Sequence, residues 1–167
     1  MSNVAVVPSP RVPVSSWMAD IASGLRLAKV HGLEEVRVLA DNVPATASWV
    51  SNPTRQNSGV IFQAVATDWS AADNVRARNE ALLTGVETVV VLGHVATSSA
   101  RHTLSRVFGN PKGPHVVQVI DGEAKVVGST TIQTAPGMEI SAPKQAGPRE
   151  DAVWSEFTSA PKAKAKK

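Results

Sequence analysis

The stretch TVVVLGHVATSSARHTLSRVFG, Thr88 to Gly109, decides the fold. It opens as an uninterrupted β-branched run, passes through a polar turn and continues at helical period to a glycine stop after Phe108. A short apolar run without polar alternation fits a strand covered on both faces, the condition of a parallel sheet. A strand that leads through such a turn into a helix is the repeating unit of α/β architecture.

Outward from this unit the same alternation recurs. Val4–Val7, Val36–Leu39, Gly59–Gln63 and His115–Ile120 are further strand candidates. Ser16–Val30 carries Trp17, Ile21, Leu25 and Ala28 at helical spacing, with a serine at its start and Gly32 just beyond its end. A second helix opens at Ser70, where Ser-Ala-Ala-Asp resembles a capping box with Asp in place of Glu, and closes at Gly85. The third runs from about Ala100 to Phe108, Ala45–Val50 is a short helix candidate, and SNPTRQNSG, residues 51–59, reads as a loop. Asp121-Gly122, between VVQVI and EAKVV, is a two-residue hairpin turn that adds an antiparallel strand at one edge. The expected fold is α/β: a Rossmann-like open, mostly parallel sheet with helices on both faces and a C-terminal β-hairpin edge, over residues 1–128.

From about Ser129 the composition turns to Thr, Ser, Pro, Ala and Lys. Residues 129–167 read as a tail with a docking element at 151–157, DAVWSEF, whose Trp154 and Phe157 stand three apart. That pair would pack on the domain or on a second subunit, and packing within a homo-oligomer, a dimer or higher, is the plainer choice.

Composition narrows the function classes. The 167 residues suit one domain. The formal charge of +3 includes Lys162, Lys164, Lys166 and Lys167, so the body is close to neutral and nucleic acid is a partner only through that tail. No cysteine is present, which removes disulfides, thiolate nucleophiles and cysteine-ligated metals. The N-terminus MSNVAVVPSPRVPV has no basic segment followed by an apolar core, and no long apolar run occurs elsewhere, so the expectation is a soluble, cytoplasmic chain without membrane contact. His31, His94, His102 and His115 lack metal-ligand spacing, and no nucleophile elbow, Walker loop or G-x-G-x-x-G fingerprint appears. The reading therefore contains no catalytic residues, no metal and no cofactor.

One feature departs from a plain scaffold. In DWSAADNVRARNEALL, Asp68 to Leu83, a helical wheel aligns Ala71, Val75 and Leu82 and puts Arg78 in the middle of that apolar stripe. Asn79 flanks it, while Asp73, Arg76 and Glu80 point away, with Arg76 and Glu80 spaced to pair. An arginine facing the sheet requires a protein carboxylate or an anionic ligand, since an uncompensated buried charge costs several kcal/mol. Ligands of open parallel sheets bind outside the carboxyl ends of the strands. Those ends here carry Ser9-Pro10-Arg11, Asp41-Asn42, Asp68-Trp69 and the turn Gly93–Ser99. Ser98 and Ser99 head a helix, where free amides and the helix dipole favour phosphate, or else one of them simply caps it.

The segments TDWSAADNVRARNEALLTGVETVVVLG and SSARHTL together resemble the SLOG superfamily of Rossmann-like nucleotide-binding proteins, which includes the LOG phosphoribohydrolases, DNA-processing protein A and small YpsA-like proteins. The resemblance covers roughly Val36 to Val119. It implies that Asp68, Trp69, Arg78 and Asn79 line a nucleotide-sized crevice, with Arg78 facing a phosphate or its surrogate. The family's glycine motifs are degraded: Pro8-Ser9-Pro10-Arg11, Ala40-Asp41-Asn42-Val43-Pro44 and Ser99-Ala100 stand where glycine-containing turns are usual. Thr103 stands where the LOG enzymes carry a glutamate, so N-glycosidic hydrolysis is not expected.

The resulting expectation is a protein that binds a nucleotide or nucleotide derivative as a sensor, sequestering or accessory protein. Arg78, Asn79, Asp68, Trp69, Ser98, Ser99, Arg11 and Asp41 are the ligand-binding candidates. Two alternatives stay open: a structural or assembly protein, of phage or mobile-element type, that keeps the fold without the site, and a nucleotide-processing hydrolase using Asp68 or Asp41.

Overall fold

A computed structural model describes residues 2–41, 43–67, 70, 72, 74–134 and 150–158. Six strands form one sheet: β1 (Ser2–Pro8), β2 (Leu33–Leu39), β3 (Ile61–Val65), β4 (Thr88–Leu92), β5 (His115–Ile120) and β6 (Glu123–Val126). Their order is β3-β2-β1-β4-β5-β6, parallel throughout except for the antiparallel pair β5–β6. This is the expected Rossmann-like open sheet with a hairpin edge. Asp121 and Gly122 both adopt positive φ, 52° and 82°, the requirement of the tight hairpin turn that joins β5 to β6.

The central strands show why the apolar runs were uninterrupted. In β1, Val4 and Val6 enter one core while Ala5 and Val7 enter the other, so each residue is buried on one face or the opposite one. The first core holds α1 (Trp17–Leu27), α2 (Val43–Val50) and α6 (Glu150–Thr158) against the sheet. The second is closed by α4 (Asn74–Leu83) and α5 (Ser98–Phe108) through Leu82, Ala100, Leu104 and Val107.

Three local outcomes differ from the sequence reading. Within the expected 51–59 loop lies a one-turn helix, α3 (Pro53–Gln56), because Asn52 caps it by accepting from the Thr54 amide at 2.9 Å and Pro53 occupies its first turn. The helix expected from Ser70 begins at Asn74, and Ala71 and Asp73 lie outside the described residues. Its far end is held by Arg37 of β2, which donates to the carbonyls of Ala81 and Thr84 at 3.2 and 2.5 Å, where a cation suits the helix dipole. Ser16 gives α1 no side-chain cap, and the chain leaves that helix through Lys29 in a left-handed conformation.

Beyond β6 the chain keeps contact with the domain. The buried Gln118 side chain donates to the carbonyls of Gly93 and Gln133 and accepts from the Gln133 amide, all at 2.9 Å, fastening residues 128–134 beside β5. The element at 150–158 docks on its own domain. Trp154 and Phe157 are buried and Trp154 joins an edge-to-face cluster with Trp49 and Phe62. Two ion pairs flank them, Arg26–Glu156 at 2.9 Å and Arg55–Glu150 at 3.1 Å. Arg55 lies 3.9 Å above the Trp49 ring, and burial pushes its pKa down despite Glu150. No helix among the described residues is long and apolar enough to cross a membrane.

Candidate functional site

Strand order reverses direction between β1 and β4, and this switch point is where an open α/β sheet receives ligands. The chain leaving β1 does not turn away at once: the Ser9 amide still donates to the Leu92 carbonyl at 2.9 Å, and Ser9 Oγ accepts from the Arg11 amide at 3.2 Å. Val12 then folds back against Gly93. A Cβ on Gly93 would stand 2.5 Å from Val12 Cγ2 and 3.2 Å from Ser9 Cβ, and its φ is 76°, so glycine is the residue this junction admits. Here a glycine serves close packing of the chain on itself.

Arg78 lies where the helical wheel put it, in the stripe facing the sheet, and is 2 % exposed. Each of its guanidinium nitrogens donates within the chain. Nε and Nη2 reach Asn79 Oδ1 at 3.2 and 2.7 Å, and Nη2 also reaches the Ser99 carbonyl at 3.2 Å and Thr103 Oγ1 at 2.7 Å. Nη1 reaches Thr67 Oγ1 at 3.2 Å and the Ser99 hydroxyl. Among the described residues no carboxylate forms an ion pair with it. Burial lowers its pKa, and the charge of Asp41 offsets part of that effect. Among the described residues, neutral oxygens meet the guanidinium. Arg76 and Glu80 pair at 3.2 Å on the solvated side, as their spacing indicated.

Asn79 is the hub of this cluster. Its Oδ1 accepts from Arg78 and stands 2.8 Å from Thr103 Oγ1, while its Nδ2 lies 3.3 Å from Nδ1 of the exposed His102. Thr103 is wholly buried. Neither Ser98 nor Ser99 caps α5; Thr97 does, accepting from the Ala100 amide at 3.0 Å. Thr97 Oγ1 also donates to Asp41 Oδ2 at 2.9 Å, which links the turn after β2 to the turn after β4 across the carboxyl end of β1.

The eight candidates thus fall into three groups. Arg78, Asn79 and Ser99 meet in one buried cluster, joined by Thr67 and Thr103, which the sequence reading did not place there. Asp41 meets the α5 cap at Thr97, Ser98 opens the first turn of that helix, and Arg11 follows the end of β1 with its Nη1 buried and without a hydrogen-bond partner. Asp68 and Trp69 lie outside the described residues. The signal for Thr67 was its position just past the end of β3, and the signal for Thr97 was the polar run Thr-Ser-Ser leading into a helix.

A cavity of about 80 Å³ opens at the ends of β1 and β2, with Pro8, Val12 and Trp17 among its apolar walls and Ser9, Asp41 and Thr46 as its polar ones. It has room for two or three waters at roughly 30 Å³ each. Trp17 is 5 % exposed, and its indole N–H has no acceptor. Among the described residues no cluster of acids and histidines is arranged to hold a metal ion. Comparison with family models, curated proteins and solved structures yields no match to this chain.

Proposed function

We propose that the chain binds the phosphate end of a nucleotide or nucleotide derivative at the carboxyl edge between β1 and β4, as a sensor, sequestering or accessory protein. The observation that carries this reading is the charge balance of that edge. Arg78 is a buried cation without a carboxylate partner among the described residues, seated under the first turn of α5. Arg11 brings a second guanidinium to the same edge with a buried, unpartnered Nη1. Two cations and a helix N-terminus, met among the described residues by the one carboxylate of Asp41, favour an anion there.

The roles follow from the hydrogen bonds. Arg78 has its donors committed to the chain, so it acts as a fixed charge behind the site. Arg11 and the first-turn amides of Ser98 and Ser99 make the direct phosphate contacts. The 80 Å³ cavity is too small for a whole nucleotide, so the remainder of the ligand lies across the open edge. Catalysis is not part of the proposal, because Thr103, at the position of the LOG glutamate, is buried and held between Asn79 and Ser99.

A thermal-shift titration against nucleoside mono-, di- and cyclic phosphates, NAD and ADP-ribose tests the reading. A ligand at about 100 times its dissociation constant adds about 2.7 kcal/mol to the folded state. One compound must raise the midpoint of the wild type and do so much less for Arg11→Ala. A second reading, an assembly protein that keeps the fold without a site, draws on the full satisfaction of Arg78 by its own chain. A panel without any shift favours it.

A further inference from the structure

Asp41 takes a position that the nucleotide reading does not by itself require. It leaves the end of β2, yet its carboxylate reaches over β1 to the residue that caps α5, with Oδ2 accepting from Thr97 Oγ1 at 2.9 Å. Resting on the anion-site reading above, we propose that Asp41 is the site's own counter-ion in the ligand-free protein, a carboxylate that holds the approach to α5 and is displaced when an external phosphate binds.

Three observations converge on this role. A negative group beside the N-terminus of an eleven-residue helix sits where the helix dipole stabilises anions, so Asp41 occupies the ground a phosphate would use. Asp41 is also the acid whose charge reaches Arg78, partly offsetting the effect of burial on that guanidinium. In the cavity that this carboxylate lines, one donor remains unspent: the nine-tenths-buried Trp17 has no acceptor for its indole N–H. Buried donors normally find partners, so an unspent one in a cavity shared with this carboxylate marks a place shaped for a further acceptor. Asp41 itself is exposed, and a single exposed hydrogen bond opposes its swing outward only modestly.

The consequence is a competition in which internal carboxylate and external phosphate exclude one another. The probe is inorganic phosphate, titrated calorimetrically into the full chain at constant ionic strength, for wild type, Asp41→Asn and Glu87→Gln. Glu87 is an exposed acid at the opposite, amino end of β4 and controls for the change in net charge. Asp41→Asn should bind phosphate at least tenfold more tightly than wild type, with Glu87→Gln unchanged. Wild-type binding that Asp41→Asn leaves equal or weakens overturns the counter-ion role and leaves the anion site standing. Equal tightening in both variants assigns the effect to net charge and also overturns it. No binding by any of the three proteins removes the anion site and the counter-ion together.

Discussion

Replacing Arg78 with alanine removes the group that joins the turn after β3, α4 and the first turn of α5. Asn79 Oδ1, Thr103 Oγ1 and the Ser99 carbonyl would lose their shared donor. Asn79 and Thr103 are 1 % and 0 % exposed, so bulk water does not replace it. A hydrogen bond to a charged group contributes about 1.5–3 kcal/mol, and a buried acceptor left alone costs about 1–3 kcal/mol. These terms share atoms and do not add, and single substitutions rarely exceed about 4–5 kcal/mol. Against them, deleting a cation buried by the fold relieves part of its desolvation cost. The balance is a loss of about 3 kcal/mol, which for a domain of this size lowers Tm by roughly 6–12 °C. Urea unfolding followed by tryptophan fluorescence measures it. Arg78→Lys, which keeps the charge on a single nitrogen, should lose about 1–2 kcal/mol. An Arg78→Ala protein within about 0.5 kcal/mol of wild type would refute the view that this cluster ties α4 to α5.

Three further outcomes follow from the packing. Gly93→Ala forces a side chain onto Val12 at positive φ and should cost about 2 kcal/mol in the same unfolding assay. Trp154→Ala removes a wholly buried ring from the aromatic cluster and should cost about 3–5 kcal/mol, with loss of amide-exchange protection concentrated in α6. Arg26 holds the Glu156 carboxyl below the usual carboxylate range, so between the folded and unfolded pKa values the unfolded chain binds more protons. The pair's stabilisation is therefore present above the ordinary glutamate value and is lost as pH falls through the folded one. With the two side chains 47 % and 44 % exposed it amounts to a few tenths of a kcal/mol, seen as a small Tm advantage over Glu156→Gln at neutral pH that is lost once the folded-state carboxyl is protonated.

The parts of the fold that were legible in the sequence are those with one dominant physical cause. β4 and β5 were bounded to the residue because burial on both faces selects unbroken Val-rich runs. β3 was displaced toward its C-terminus relative to its run, since an edge strand with Ile61 57 % exposed carries a weaker apolar signal. α3 was hidden in a loop-like composition because a one-turn helix rests on its cap and on Arg55 tucked over Trp49 rather than on any period. At the site, the burial of Arg78 followed from helical spacing, but its partners other than the adjacent Asn79 come from Thr67 and from α5, and no spacing rule reaches them. The Asp41–Thr97 contact was illegible for the same reason, being a product of strand order.

The central claim is the location of an anion site at the switch point, and amide NMR tests it most directly. Titration of the compound selected by the thermal-shift panel, or of AMP if none is selected, should move the amide signals of Arg11, Val12 and Thr97–Ala100 while leaving those of the β5–β6 hairpin in place. Shifts that avoid the ends of β1 and β4, or a spectrum that does not respond, would contradict it.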